Sequence, residues 1–157
     1  MPHQVEKVVS GGQTGADRAG LDAAIELGLD TGGWVPKERL AEDGAVPDSY
    51  STLRETDSRS YPERTAMNVR DSDGTVIVSR GKLTGGSLLT LQLARRYEKP
   101  VIHIDLGSES IEEAARGLRE WLDRNGCRTV NIAGPRASSD PQIYGRVRRL
   151  IVEALSK

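Results

Sequence analysis

Short aliphatic runs alternate along the chain with segments whose apolar residues recur at helical spacing, the pattern of a parallel sheet joined by crossover helices. "VEKVV", Val5 to Val9, is the first predicted strand. The next segment sets Leu21, Ala24, Ile25 and Gly28 on one helical face, which predicts a helix packed against the sheet. "GGWVP", Gly32 to Pro36, predicts a short second strand stopped by its proline. "GTVIVS", Gly74 to Ser79, and "PVIHIDL", Pro100 to Leu106, are near-continuous apolar runs, so both are expected at central positions of the sheet.

Between those runs, "GGSLLTLQLARRYEK" predicts a helix that starts at a Gly-Gly turn and ends in basic residues complementing the helix dipole. Ser110 to Glu113 form a capping box, followed by Ile111, Ala114, Ala115, Leu118 and Leu122 on a buried face, with Gly126 as the stop. "RTVNIAG" is a further strand. Asp140-Pro141 then predicts the cap and first-turn proline of a last helix carrying Ile143, Val147, Leu150, Ile151 and Ala154. The result is an α/β fold with a mainly parallel sheet of about five strands. Residues 36–61 interrupt it with a stretch rich in charge, Pro, Gly and Ser, expected to be a lid or a subunit arm.

A chain of 157 residues is expected to form a single domain, 1–157. Its 22 basic and 23 acidic residues leave no global field to attract nucleic acid or an anionic membrane, so neither is expected as a partner and any anion site must be local. Scarce aromatics also disfavour base-stacking platforms. The N-terminal apolar run is too short for a signal peptide or a span, and the expected location is cytoplasmic. Cys127, the single cysteine, is expected to be a structural thiol at a strand entrance.

In an open parallel sheet, ligands bind outside the carboxyl ends of the strands, where all strand-to-helix turns gather. Three such turns are small and polar: "SGGQTGADR" from Ser10, "SRGKLTGGS" from Ser79 and "AGPRASSDP" from Ala133. The first is neither a dinucleotide fingerprint, because its glycines are Gly11, Gly12, Gly15 and Gly20, nor a P-loop, because no lysine follows. Glycines allow close backbone approach, and a following helix offers free N–H groups and a positive dipole end. The candidate phosphate or oxyanion site is therefore Gly11, Gly12, Gln13, Thr14, Gly15, Asp17 and Arg18 with Gly85, Gly86, Ser87, Thr90 and Arg136. Glu42 and Asp43 would become acid-base groups if the 36–61 segment closed over the site.

Asp71, Asp73 and Gly74 make a sensible turn at the amino end of a strand, opposite that site. The short "DSDG" lacks the ligand positions of an EF-hand, and neither His3 nor His103 has partners at metal spacing, so no protein-built metal site is expected. His103 is expected inside or on a face of the sheet.

Taken in order, "GGQTGADRAGLDAA", "GW-P", "AEDG", "YPERTAMNVRDSDGTVIVS", "GGSLLT" and "NIAGPRAS" resemble the molybdenum-carrier family, a permuted YpsA-like branch of the SLOG superfamily related to molybdenum-cofactor carriers. The resemblance spans nearly the whole chain. It implies a Rossmann-like three-layer sandwich that binds a phosphorylated, nucleotide-like small molecule, with molybdenum cofactor (molybdopterin) or a nucleotide as the bound ligand. It also implies a homo-oligomer, dimer or tetramer, and adds Asn68, Arg70, Asp71 and Asp73 as site candidates.

Related phosphoribohydrolases use P-G-G-x-G-T-x-x-E; aligning the paired glycines puts Leu88 and Leu89 at Gly-Thr and Gln92 at the catalytic glutamate. An amide cannot serve as that carboxylate. The sequence thus favours a carrier or sensor, with Arg18 and Arg136 neutralising the anion and the 36–61 segment covering the organic part. The alternatives are a nucleotide-processing hydrolase of the phosphoribohydrolase type and an interaction module using the leucine-rich face from Leu88 to Leu93.

Overall fold

A computed structural model describes residues 3–156. Its central sheet contains β1 (Lys7–Val9), β2 (Asp30–Gly32), β7 (Gly74–Ser79), β8 (Val101–Asp105) and β9 (Thr129–Ala133), in the order β2-β1-β9-β7-β8. Every ladder in that sheet is parallel. Five helices complete the layers: α1 (Ala16–Glu26), α2 (Tyr61–Arg70), α3 (Gly85–Arg96), α4 (Ile111–Asn125) and α5 (Ile143–Leu155).

Alternation along the strands divides the sheet into two unlike faces. Val76, Val78, Val130 and Ile132 point to one side, where α1, α4 and α5 supply Ala19, Ala23, Leu118, Leu122, Val147 and Ile151 to the main core. Thr75, Ile77, Ser79 and Asn131 face the other side, covered by α2 and α3 through a smaller cluster of Val69, Leu93 and Ala94. The polar residues on that second face matter below. The capping box of Ser110 and Glu113 forms, Gly126 ends α4 in the left-handed conformation, and Cys127 is a buried thiol whose pKa burial raises to about 11.

Several expectations need correction. The "PVIHIDL" strand is the edge strand β8; His103 is exposed on the sheet face, one of the two places expected for it, and bonded to the Ser79 hydroxyl at 2.7 Å. Its apolar run is filled partly by contact with α3 and α4, so near-continuous hydrophobicity did not require two strand neighbours. The second strand of the main sheet is Asp30–Gly32, whereas Trp34–Val35 forms β3, paired with β6 (Arg54–Glu55) in a separate ribbon. Gly33, at φ 129, breaks the run between them. Ile25 is 55 % exposed, because α1 turns Ala19, Ala23 and Ala24 toward the sheet instead. The last helix begins at Ile143, with Asp140 serving the preceding turn by accepting from the Gln142 amide at 3.1 Å.

The 36–61 segment is an ordered subdomain. A hairpin of β4 (Leu40–Ala41) and β5 (Gly44–Ala45) and the β3–β6 ribbon enclose Val35, Ala41, Val46 and Leu53, which pack on Leu21 of α1. Arg39 satisfies the carbonyls of Val46, Pro47 and Tyr50, and Tyr50 donates to Asp22 at 2.8 Å. Among the described residues no helix is long and apolar enough to cross a membrane.

Candidate functional site

At the carboxyl edge of the sheet the β1, β7 and β9 turns converge on a cleft of about 770 Å³, within the size range of small-molecule sites. One wall is the first turn, with Gly11, Gln13 and Asp17; the facing wall is the N terminus of α3, with Gly85, Gly86, Ser87 and Thr90. The β9 turn brings Arg136, and α2 closes the α2–α3 side with Arg64 and Asn68. The polar sheet face described above supplies Asn131 as part of this lining.

The first turn is shaped by Arg64. This side chain, only 8 % exposed, reaches across from α2 and donates from Nη1 to the Gly11 carbonyl at 2.6 Å. A Cβ on Gly11 would overlap the guanidinium, so glycine here makes room for an arginine. Gly15 has φ 82 and approaches the Pro135 carbonyl so closely that a Cβ would lie 2.5 Å from it, which joins the β1 and β9 turns.

Two side-chain donors at this end lack a partner: Gln13 Nε2 and Arg64 Nε, in residues respectively 5 % and 8 % exposed. Buried polar groups are ordinarily paired, so these two donors stand out in the cleft wall as unsatisfied. The orientation of the Gln13 amide is fixed by its oxygen, which accepts from the backbone N–H groups of Thr14 at 3.1 Å and Glu42 at 2.9 Å. Asp17 lies beside both, accepting from the Gln13 backbone N–H at 3.3 Å and sitting 3.5 Å from Arg64 Nη1. Burial raises the Asp17 pKa to about 6, outweighing the opposing pull of Arg64, and burial likewise lowers that of Arg64.

The cleft as a whole is cationic. Arg64, Arg80, Lys82 and Arg136 line the cleft against Asp17 and Asp140, and Arg80 is spent on Asp140 in a bidentate pair at 2.7 and 2.8 Å. Among the described residues Lys82 and Arg136 have no ion pair. Asp105 holds the loop carrying Arg80 and Lys82 by accepting from Gly81 N at 2.7 Å, and this bond with that from Gly107 keeps its carboxyl below the usual range. The N-cap of α3, Thr84, makes no side-chain cap, and a Cβ at Gly86 would meet nothing within 4 Å. The first turn of α3 therefore presents bare N–H groups to open space. Among the described residues no cluster of His, Cys, Asp and Glu could hold a metal ion.

Eight of the expected anion-site residues line this cleft: Gly11, Gln13, Asp17, Gly85, Gly86, Ser87, Thr90 and Arg136. Gly12, Thr14, Gly15 and Arg18 lie behind the turn. Arg18 is held by Asp43 at 2.7 and 2.8 Å and by the Gly12 carbonyl at 2.9 Å, so it braces the turn from outside. Thr14 donates to Glu42, which also accepts from Ser138 N at 3.3 Å, and these bonds lower the Glu42 pKa. Glu42 and Asp43 thus fasten the 36–61 segment to the turns. No residue of 36–61 lines the cleft.

Of the "NVRDSD" residues, Asn68 alone reaches the cleft, because α2 runs from the carboxyl edge toward the amino edge. Its amide also pairs with the N–H and carbonyl of Trp34 at 2.8 and 3.0 Å. Arg70 pairs with Asp71, and Asp73 accepts from Arg128 N and Thr129 N at the amino end of the sheet. Gln92 is exposed on α3 and is not part of the cleft. Sequence reasoning missed Arg64, Arg80, Lys82 and Asn131. Ser60-x-x-Glu63 with Pro62 was the available signal for α2, since Ser60 does accept from Glu63 N as the helix cap.

A parallel sheet with a polar, cationic cleft across its carboxyl edge defines a Rossmann-like fold with a candidate binding cleft where such folds place their ligands. Residues 8–155 match the model of the circularly permutated YpsA SLOG family, and the chain belongs to that family. It is also similar to a crystal structure named "Putative molybdenum carrier protein" from Syntrophus aciditrophicus SB. The two are 49 % identical, with a TM-score of 0.97 over 99 % of this chain and 98 % of that one. No curated protein matches.

Proposed function

We propose that this protein is a carrier or sensor that binds a phosphorylated, nucleotide-like small molecule, with the molybdenum cofactor as its candidate cargo. The observation that carries the reading is the pair of orphaned donors, Gln13 Nε2 and Arg64 Nε, in the wall of a cleft that also holds the uncapped start of α3. The N–H groups of Gly85, Gly86 and Ser87 would hold the phosphate, with Lys82 and Arg136 neutralising it. The donor set suits such a cargo at both ends: cations and helix amides for the phosphate, amides and a carboxyl for the organic part. The similarity to a protein named as a molybdenum carrier supports the choice of cargo.

Binding without turnover is the better reading of the carboxylates. Glu42 and Asp43 are engaged in docking the 36–61 segment, and Gln92 is remote. Uptake and release then need no covalent step. Mass spectrometry of small molecules released by denaturing the purified protein tests the proposal. The expected result is a phosphorus-containing compound at near-stoichiometric amount in the wild type and depleted in Lys82→Ala; a protein that neither retains nor binds any phosphorylated compound would overturn it.

A further inference from the structure

The two ends of the cleft are chemically unlike, and the difference says what sort of ring the deep end takes. Phosphate belongs with Lys82 and the start of α3, while Arg136, whose guanidinium lies over the Tyr61 ring as that of Arg64 does, joins the two ends. The deep end, by contrast, has a carboxyl group, Asp17, bonded to the Gln13 backbone N–H and 3.5 Å from Arg64 Nη1, which a second dianion would have to face. Its hydrogen-bonding capacity can be read atom by atom. Gln13 offers only N–H, because both bonds to its oxygen come from backbone amides. Arg64 offers Nε and Nη2, neither of which has an acceptor among the described residues, while Nη1 is committed to Gly11. Asp17 commits Oδ2 to the Gln13 amide and leaves Oδ1 without a hydrogen bond.

Resting on the proposed binding of a phosphorylated ligand, we infer that Gln13, Asp17 and Arg64 read the edge of a lactam ring, a carbonyl oxygen beside a ring N–H. The carbonyl accepts from Gln13 Nε2 and Arg64; the ring N–H, with an adjacent amino group where there is one, donates to Asp17. Guanine and pterin rings both carry this edge with an adjacent amino group, as 2-amino-6-oxopurine and 2-amino-4-oxopteridine. An amino group in place of the carbonyl sets N–H against the two donors, and an unprotonated ring nitrogen then faces the carboxylate. Such a mismatch leaves buried groups unpaired, which is how polar sites reject close analogues.

Calorimetry on the full chain separates the possibilities. GMP and AMP share a ribose phosphate and differ in the ring edge, AMP having an amino group for the carbonyl and no 2-amino group; pterin and 2,4-diaminopteridine differ only in the carbonyl-to-amino exchange and carry no phosphate. The oxo compound is expected to bind at least about tenfold tighter than its amino partner in one or both pairs. The pair showing the preference identifies the ring as purine or pterin. Asp17→Asn should reduce the preference by at least about threefold, with Gln13→Ala as the second variant should the first fail to fold. Lys82→Ala should weaken GMP and AMP equally. Equal binding of oxo and amino compounds, or a preference untouched by both deep-end variants, overturns the edge assignment. If GMP and AMP still bind and still weaken in Lys82→Ala, the phosphate reading stands; if none of the four compounds binds, both fail.

Discussion

Arg64 lies across Gly11, its Nη1 donating to the glycine carbonyl at 2.6 Å in the space a side chain at that position would fill. A cation from α2 thereby becomes part of the β1 turn, and the glycine serves that contact rather than a positive φ. Gly11→Ala should displace the guanidinium, destabilise the protein by about 1–3 kcal/mol through overpacking, and weaken ligand binding. Arg64→Ala should also weaken binding, and the double variant should bind no worse than the poorer single one, since both changes remove the same group. Thermal melts and titrations on the three variants check this.

Among the described residues Lys82 and Arg136 carry charge into the cleft without an ion-pair partner, so replacing either should affect the ligand far more than the fold. Each alanine variant should lose about 1.5–3 kcal/mol of binding to a phosphorylated ligand, the range for hydrogen bonds to charged groups. Stability should change by less than about 0.5 kcal/mol. Calorimetry and denaturant melts give the two numbers.

Arg18 provides the contrast. Sequence alone made it an anion ligand, yet its fork is closed on Asp43 and its Nε on the Gly12 carbonyl. Arg18→Ala should cost about 1 kcal/mol or less of stability, as expected for a pair with one exposed member. It should leave the affinity for a phosphorylated ligand within about threefold, about 0.6 kcal/mol. A loss as large as that of Lys82→Ala would return Arg18 to the site.

The Asp17 carboxyl makes the ligand-free protein sensitive to pH. Its pKa is raised from 3.8 to about 6, so between those values the folded chain binds more protons than the unfolded one. Stability from this group is therefore full below pH 3.8 and is lost as the pH rises through about 6. At about 1.4 kcal/mol per unit, wild type should lose about 3 kcal/mol relative to Asp17→Asn between pH 3.5 and pH 7.5. Denaturant melts of both proteins across that range provide the check, and parallel pH profiles would contradict it.

The regular elements were legible where one local signal sufficed. The Ser110–Glu113 box, Gly126 and the apolar run of β7 report on themselves, and the three glycine turns do meet on one edge. What escaped was set by tertiary partners. Whether an aliphatic run such as Val101 to Asp105 is central or at the edge depends on strand order, which its own residues do not encode. Arg18 and Arg64 are both arginines near a glycine turn, and only packing shows that one braces it from behind while the other enters the cleft. The 36–61 segment reads as a loop because its core is shared with Leu21 and its order comes from distant bonds such as Tyr50 to Asp22.

The central claim is that the ligand's anion sits on the start of α3 while its other end meets Gln13. Nuclear magnetic resonance of ¹⁵N-labelled protein, titrated with GMP, observes both places at once. The backbone amides of Gly85, Gly86 and Ser87 and the side-chain amide of Gln13 should shift together and saturate at one equivalent. Saturable shifts confined to other parts of the molecule, or none at these groups with GMP and with pterin plus phosphate, would contradict the account.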